Sequence, residues 1–510
     1  MEMTEFKTRV FCLVIAAIPL SPAVRAQQLR APIQRPNILL LVADDMNQDT
    51  PGCFGGAAPD ITPNIDALAK GGMRFEHAYV NISICTPSRS VMLSGLYPSR
   101  NGAEGFQRIR QGTRTLPAAL NEHGFLTGII GKPLRQQDLF RWSVTYRWQG
   151  VGDEDQWGRD PETYRSFVRS FFAMSRASNQ PFFLMASSHD PHRPFGGDQP
   201  KKPHQQMAPS SRTYDAEEVN LPGLLPDLSG VRKDFAGYCT SVRRLDDMVG
   251  TVLAELSKAG LDDETIVVFL ADHGMPFPGV KFNCYPDSLK TPLIVRWPGK
   301  VRAGAVDANH MVSTVDLMPT LLDAVRLPPG NSDGKSFLPV LGGERQPGRD
   351  QVFGQFHHIH GKDALPMRCV LTKDSAYVFN PWSNGQREFR RLGGGAADAM
   401  KRASQDDPEL AARLKHVRFR TVEEFFDLKS DPHCLQNLMV SDLRQHSPEQ
   451  KRLAGLLEDW MTSINDSAVV AFQHRTNSDR LEAYVDAYRT RAAAEVEALK
   501  AYEKAQGFRF

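Results

Sequence analysis

The sequence is poor in the features that mark several common protein classes. Its 510 residues include only seven cysteines, and no two of them have the spacing of a CxxC metal or redox motif. The formal net charge is only +2, so overall charge gives no reason to expect binding to nucleic acid or to a membrane surface. Hydrophobic residues make up 41% and charged residues 24% of the chain, as in ordinary soluble globular proteins. Any anionic ligand must therefore be bound by a local cluster.

Long apolar runs are also missing, and the one near the N-terminus has the pattern of an export signal. Lys7 and Arg9 precede an apolar run over residues 10–20, and Val24-Arg25-Ala26 offers small residues at a cleavage site. The run is too short to span a bilayer, and no later stretch could form a transmembrane helix. We therefore expect residues 1–26 to be a signal peptide and the mature protein to be periplasmic or secreted.

Such a compartment permits disulfides, but the cysteine spacings do not define a framework. Cys12 lies in the predicted signal, and the other cysteines are widely scattered. Their pairing stays open at this point. They are Cys53, Cys85, Cys239, Cys284, Cys369 and Cys434.

Four apolar runs are each followed by polar residues. The runs are typical of strands buried on both faces of a parallel sheet, with helices between them. Because the carboxyl ends of such strands meet at one edge of the sheet, we expect the polar residues to form one site. The four apolar runs and the polar residues that follow them are 37–42 with Asp44 and Asp45, 126–131 with Lys132, 181–186 with His189, and 265–271 with Asp272 and His273.

Asp44 and Asp45 are adjacent carboxylates, which repel each other unless a cation holds them. A hard divalent cation would explain them. An exposed loop that happens to carry two aspartates is the alternative.

A further turn, Cys85-Thr86-Pro87-Ser88-Arg89, predicts a helix start. Pro87 suits the first helical turn, and Gly95 is a plausible end. Cys85 would lie at the helix N-terminus, where N–H groups and the helix dipole favour anions. The alternative is a buried structural cysteine.

The remaining chain predicts a long helix over residues 232–260, whose charges Arg243, Arg244, Asp246 and Asp247 we interpret as a solvated face. Residues 198–230 are interpreted as a surface excursion. Short alternating strands follow residue 347, with helices over 448–464 and 480–505. No internal repeat is apparent.

These motifs resemble the sulfatase branch of the alkaline-phosphatase superfamily, and the likeness covers most of the mature chain. Within that family, three motifs are most similar to the N-sulfoglucosamine sulfohydrolases: Asp272-His273-Gly274-Met275-Pro276-Phe277-Pro278, Phe353-Gly354 with His357-His358, and Pro366-Met367-Arg368. The other motifs that carry the resemblance are Arg35-Pro36-Asn37, Asp44-Asp45, Cys85 to Arg89, Thr127 to Lys132, His189-Asp190-Pro191-His192, Pro292 to Val295, and Asp427-Leu428 with Asp431-Pro432 and Asn437-Leu438.

The resemblance implies an α/β fold, an alkaline-phosphatase-like and mostly parallel sheet sandwiched by helices. It implies a sulfatase catalytic domain over residues 27–346 and a smaller C-terminal α+β domain over 347–465. We expect a helical extension over 466–510.

The resemblance also implies the chemistry of the site. Cys85 would be oxidised by a formylglycine-generating maturation enzyme, and the hydrated formylglycine would attack the sulfate sulfur. One Ca²⁺, with Mg²⁺ or Mn²⁺ as alternatives, would be held by Asp44, Asp45, Asp272, His273 and the modified Cys85. The remaining roles are Arg89 stabilising the formylglycine, Lys132 and Lys281 binding sulfate oxygens, His189 protonating the leaving group, and His192, His357 and His358 contacting substrate.

The chain departs from the family pattern at one point. The family commonly has Lys-x-His where this sequence has Lys132-Pro133-Leu134. A histidine that assists sulfate release is therefore missing at Leu134. Lys281 stands where the closest relatives carry another basic residue, so that charge is kept.

The expected function is an exported, Ca²⁺-dependent sulfatase that acts on a sulfamate or sulfate ester of a sulfated glycan. Glucosamine N-sulfate is the first substrate considered. The alternatives are an O-sulfatase on another polysaccharide, a phosphodiester or phosphonate hydrolase, and a non-catalytic protein that binds sulfated glycans.

Overall fold

The computed structural model describes residues 35–132, 137–146, 158–198, 208–359, 361, 364–389, 393–440 and 447–505. The predicted signal peptide and Leu134 lie outside these residues. The chain divides into the units Met1–Arg35 and Pro36–Phe510, and the second is described below. No helix of the described part combines the length and the apolar character needed to cross a membrane.

The strands fall where the apolar runs predict them. Residues 37–42, 126–131, 181–186 and 265–271 correspond to β1, β4, β6 and β7, with ends that differ by one residue at most. The described strands are β1 Asn37–Ala43, β2 Met73–Phe75, β3 Ala78–Tyr79, β4 Leu126–Gly131, β5 Val144–Thr145, β6 Phe182–Ser187, β7 Thr265–Ala271, β8 Leu293–Arg296, β9 Ala305–Asp307, β10 Val312–Ser313, β11 Gln351–Phe356, β12 Met367–Thr372, β13 Ser375–Phe379 and β14 Glu423–Asp427.

Helices connect these strands. The long ones match the predicted helices, since residues 232–260 correspond to α7 and residues 480–505 to α15. The described α-helices are α1 Pro63–Lys70, α2 Cys85–Ser94, α3 Pro98–Asn101, α4 Leu116–Asn121, α5 Gln137–Phe140, α6 Pro161–Ser178, α7 Ser229–Lys258, α8 Pro286–Leu289, α9 Leu317–Ala324, α10 Leu338–Leu341, α11 Gly395–Ala403, α12 Pro408–Arg418, α13 Pro448–Ser463, α14 Ala468–Gln473 and α15 Ser478–Ala505.

The main sheet has the order β5-β4-β6-β1-β7-β8-β2-β9. Its central strands β4, β6, β1 and β7 are parallel, whereas β8 is antiparallel to both β7 and β2. Successive residues of β1 enter different cores, Leu40 on one face and Leu39 and Leu41 on the other. The sheet is therefore covered on both faces, as the apolar runs predict.

A second sheet is antiparallel, with the order β11-β12-β13-β14. Val370 and Tyr377 of this sheet belong to the same hydrophobic core as one face of the main sheet. This confirms a C-terminal antiparallel sheet. Its proposed boundary at residue 347 stays a prediction, because the core runs across that position.

The interpretation of the α7 charges as a solvated face is wrong for two of them. Arg244 and Asp246 are buried. Arg244 Nε donates to Asp190 Oδ2 at 2.7 Å, and Asp246 accepts hydrogen bonds from the backbone N–H groups of Asn64 and Ile65 at 3.1 and 2.8 Å. Arg244 and Asp246 therefore bind α7 to two neighbouring segments, the loop after β6 and the start of α1.

The connection between β13 and β14, residues 380–422, was not predicted as a structural unit. It contains α11 and α12, and α11 packs against α7. The backbone N–H of Ala396, in α11, also donates to Asp234 Oδ2 of α7 at 2.8 Å. An excursion from the second sheet thus returns to the helix layer of the main sheet.

Candidate active site

The carboxyl ends of the four central strands lie side by side. Ala43 pairs with Ala271, Val42 with Ser187, and Ser187 with Gly131. The residues that follow these positions therefore meet at one edge of the sheet. This confirms the predicted convergence of Asp44, Lys132, His189 and Asp272 at that edge. The backbone N–H of Asp44 also donates to the carbonyl of Asp190 at 3.0 Å.

Cys85 reaches this edge at the start of α2. Ile84 before it is extended, and Gly95 ends the helix in a left-handed conformation with φ of 64°, which glycine adopts without a steric penalty. Ser88 Oγ donates to the carbonyl oxygen of Asp272 at 2.6 Å. The first turn of α2 is therefore attached to the end of β7.

Four side chains form a buried group that could hold a metal ion. Ligand atoms of Asp44, Cys85, Asp272 and His273 lie within 4.8 Å of one another. Asp44 Oδ1 is buried and accepts no hydrogen bond from the described residues. An unsatisfied buried carboxylate oxygen is costly, and a divalent cation would satisfy it, so the donor set fits a metal.

His273 is oriented for such a role. Its Nδ1 lies 2.9 Å from the carbonyl of Gly274, which requires an N–H donor at Nδ1 and turns Nε2 toward Cys85, where Nε2 could bind a metal once the ring is neutral. Nε2 points to Cys85 Sγ at 3.4 Å and to Asp45 Oδ1 at 3.2 Å. Burial disfavours the charged ring, but Asp272 and Asp45 raise its pKa to about 9.

Asp45 lies beside the group of four. Its φ is 67°, a strained left-handed conformation for a residue with a side chain. Both carboxylate oxygens accept from Lys281 Nζ, at 2.8 and 2.7 Å. Its predicted role as a metal ligand stays a prediction.

Three cations surround Cys85 and the carboxylates. Arg89 Nε donates to Asp272 Oδ2 at 2.8 Å, Lys132 Nζ donates to Asp44 Oδ2, and Lys281 Nζ lies 3.8 Å from Cys85 Sγ. Burial raises the pKa of Asp44, but Lys132 and the other nearby cations outweigh it and hold that pKa well below the usual range. The arrangement stabilises the buried carboxylates and could also bind an anionic ligand.

His189 and His192 both follow β6, and His192 is the more exposed of the two. His189 is buried under Gly158, where a Cβ would lie only 1.8 Å from the imidazole ring. His192 is 39% exposed, and its Nε2 is 3.9 Å from Asp45 Oδ2. Burial lowers the pKa of His192 to about 4, against the opposing charge of Asp45. A substrate can therefore approach from the side of His192.

His357 and His358 are placed in a different cluster. His357 is fully buried, with Nδ1 2.9 Å from Tyr488 Oη and Nε2 3.1 Å from Gln355 Oε1. His358 Nε2 lies 3.2 Å from Gln107 Nε2. The contact of His357 with Tyr488 attaches the end of β11 to α15. The predicted substrate contact of both histidines remains untested.

Sequence reasoning missed the groups that hold the His189–His192 loop. Asp190 is buried and accepts from Arg159 and from Arg244, whose Nε and Nη2 each lie 2.7 Å from its carboxylate. The only signal was the Asp-Pro-His order after β6, since Arg159 and Arg244 are remote in sequence.

The connection between β13 and β14 supports the segment after Lys281. Arg420 Nη2 donates to Asn283 Oδ1 at 2.7 Å, and Arg420 Nη1 donates to Tyr285 Oη. Both partners lie within four residues of Lys281. The second sheet thus helps to fix a catalytic candidate.

Each of the six described cysteines carries a free thiol. The described part of the chain therefore contains no disulfide.

Comparisons with known proteins point to one family. Residues 36–327 match the family described as Sulfatase, and residues 280–379 match the region described as N-sulphoglucosamine sulphohydrolase, C-terminal. Human N-sulphoglucosamine sulphohydrolase is 30% identical over 475 residues, covering 85% of this chain and 91% of that protein. An ulvan-active sulfatase of Formosa agariphila is 26% identical over 443 residues, covering 85% and 81%.

Solved structures share the fold. A 2-O GAG sulfatase superposes with a TM-score of 0.63 at 20% identity, covering 85% of this chain and 93% of that one. A phosphonate monoester hydrolase of Agrobacterium radiobacter gives 0.63 at 17% identity, covering 84% and 96%. These likenesses concern the fold alone and confirm its alkaline-phosphatase-like class.

Proposed function

The chain belongs to the sulfatase family, and we propose that it hydrolyses the sulfamate or sulfate ester of a sulfated glycan, with glucosamine N-sulfate as the first substrate. The observation that carries this proposal is the buried group of Asp44, Cys85, Asp272 and His273, surrounded by cations. The identity with human N-sulphoglucosamine sulphohydrolase, which extends over most of both chains, supports the choice of substrate.

Cys85, after oxidation to formylglycine by a maturation enzyme, would supply the nucleophilic oxygen at the start of α2. A bound divalent cation, Ca²⁺ being the first choice for a carboxylate-rich site, would polarise the sulfate group and align the nucleophile. Asp44, Asp272, His273 and Asp45 are the residues that would hold it. Export to the periplasm or the exterior is part of the same proposal.

The cations have separate tasks. Arg89 forms an ion pair with Asp272. Arg89 would hold both that carboxylate and the modified Cys85 in place. Lys132 donates to Asp44 and Lys281 donates to Asp45. They would bind sulfate oxygens, whose negative charge increases as the bond to the leaving group breaks.

A proton must reach the leaving nitrogen or oxygen. His189 is carried by the loop that Asp190 fixes between two arginines, and His192 is more exposed, with a neutral ring at neutral pH. We propose His189 as the proton donor and His192 as a substrate contact.

The test is a panel of N-sulfated and O-sulfated saccharides and a phosphodiester, incubated with protein co-expressed with a maturation enzyme. Sulfate release from glucosamine N-sulfate above the others supports the proposal. Faster release from an O-sulfated sugar keeps the reaction and replaces the substrate, and faster phosphodiester cleavage overturns it. Binding of sulfated saccharides without any release would support the non-catalytic alternative.

A further inference from the structure

A second cavity lies behind the loop that carries His273. Its volume is about 210 Å³, and its walls include His77, Asp287, Lys290, Lys373 and His433. They come from the β2–β3 connection, from α8 and the residue after it, from the β12–β13 hairpin and from the loop after β14. The cavity is thus formed jointly by the main sheet's layer and the second sheet.

Backbone contacts separate this cavity from the Cys85 site. The N–H of Gly274, next to His273, donates to the carbonyl of Ser288 in α8 at 3.2 Å. A Cβ on Gly274 would lie 2.2 Å from the carbonyl oxygen of Asp287. α8 therefore lies against the back of the metal-site loop and turns Asp287 and Lys290 to the cavity.

Lys290 and His77 line the cavity and carry polar groups that have no close partner in the described part of the chain. The Lys290 amine has no ion-pair partner within 4 Å in the described part of the chain. Burial lowers its pKa, although Asp287, Asp49 and Glu76 oppose that effect. His77 Nδ1 is buried and has no hydrogen-bond partner among the described residues.

Lys373 adds a second positive charge nearby. Its Nζ donates to the carbonyl of Ala308 at 2.9 Å, which uses one of three donor positions of an ammonium group. Burial, and then the charges of Lys290 and Lys373, lower the pKa of His77 to about 4. The ring of His77 is therefore neutral and can still donate one hydrogen bond.

The acidic groups of the cavity are already engaged. Asp287 Oδ2 lies 2.9 Å from His433 Nδ1, and that ion pair raises the pKa of His433. Burial and the charge of Asp287 raise the pKa of Asp49, which disfavours its charged form. The two lysines therefore face one carboxylate that is paired with His433 and a second, Asp49, whose charged form burial disfavours.

We propose that this cavity is a second oxyanion subsite, in which Lys290, Lys373 and His77 bind a sulfate or carboxylate group. Pockets for whole drug-sized ligands measure roughly 300–1,000 Å³, so a cavity of about 210 Å³ suits one oxyanion with part of a sugar. The group comes either from a neighbouring unit of the glycan or from free inorganic sulfate. Only the glycan source depends on the proposed function.

The test is a lysine-acetylation footprint of the whole wild-type protein, read by peptide mass. Inorganic sulfate is added in one arm and a sulfated tetrasaccharide in another, and exposed Lys300 is the internal control. Protection of Lys290 and Lys373 in both arms supports a glycan subsite, and protection by inorganic sulfate alone supports a site for the free ion. Protection of neither lysine, or equal protection of Lys300, overturns the proposal.

A variant separates this site from the catalytic one. Lys373→Met, on a surface hairpin, should abolish the protection of Lys290, while Lys300→Met should leave it unchanged. If the ligand is a glycan, Lys373→Met should raise KM for a polymeric substrate severalfold and leave kcat unchanged. Because the footprint needs no turnover, it remains decisive even if the proposed sulfatase activity fails.

Discussion

Among single residues, Lys281 contacts both a proposed metal ligand and the proposed nucleophile. Its ammonium group donates to both oxygens of Asp45 and lies 3.8 Å from Cys85 Sγ. It can therefore fix a carboxylate in the resting enzyme and bind a sulfate oxygen in the transition state.

Replacing Lys281 should consequently reduce turnover. Removing one preorganised donor to a developing negative charge lowers the rate by about 10²–10³-fold. We therefore expect Lys281→Met to lower kcat by that factor. Lys281→Arg keeps the positive charge and should retain part of the wild-type kcat. Steady-state kinetics of sulfate release measure this, with Lys300→Met as a control. A kcat of Lys281→Met equal to wild type would exclude the assignment.

Asp272 is the carboxylate that joins the metal group to Arg89. Asp272→Asn keeps the shape and removes the charge, so the affinity for Ca²⁺ should fall by at least about tenfold. Calcium calorimetry measures this, and exposed Asp263→Asn should titrate like wild type. If both variants bind Ca²⁺ equally well, Asp272 is not a ligand.

At the scale of elements, α1 receives its N-terminal cap from another helix. Thr62 makes no side-chain cap, and the N–H groups of Asn64 and Ile65 donate instead to Asp246 of α7. Asp246→Ala leaves these donors buried and unsatisfied, which costs about 1–3 kcal/mol for each such group.

We therefore expect the free energy of unfolding, measured in urea, to fall by about 1–3 kcal/mol for each of the two N–H groups. The matched control is Asp247→Ala, whose carboxylate binds the more exposed Ser211 and Arg243 and should cost less than about 1 kcal/mol. Equal losses in the two variants would contradict the capping role of Asp246.

The central strands could be predicted from the sequence, whereas the contacts of α7 could not. β1, β4, β6 and β7 could be predicted because full burial makes a strand continuously apolar, and Asp44, Lys132 and Asp272 could be placed because parallel strands end at one edge. Arg244 and Asp246 were misjudged because helical spacing shows which residues share a face, but not which remote carboxylate or N–H group lies opposite.

The β13–β14 connection was missed for a related reason. Its helices α11 and α12 are short. Ala396 of α11 binds Asp234 of α7, and Arg420, just after α12, binds Asn283 near Lys281, each across more than a hundred residues of sequence. Local periodicity carries no signal for such contacts.

At the scale of the whole molecule, Arg420 joins the two sheets through a buried polar network. It contacts Asn283 and Tyr285 on one side, and its Nη1 lies 3.7 Å from Glu424 Oε2 of β14. Removing one member of a buried pair leaves the other charge unpaired and costs about 3–5 kcal/mol.

Arg420→Met should accordingly lose about that much stability, and the double variant Arg420→Met/Glu424→Gln should regain part of it. Urea unfolding of both proteins measures the difference. A double variant no more stable than the single one would show that Arg420 acts independently of Glu424.

We propose that a group formed from Cys85 performs sulfate hydrolysis at this edge of the sheet. The most direct measurement is free sulfate released from glucosamine N-sulfate by the matured wild-type protein, by Cys85→Ala and by the control Cys53→Ala. We expect release by wild type and Cys53→Ala and none by Cys85→Ala with its fold intact. Release by Cys85→Ala at the wild-type rate would contradict this proposal.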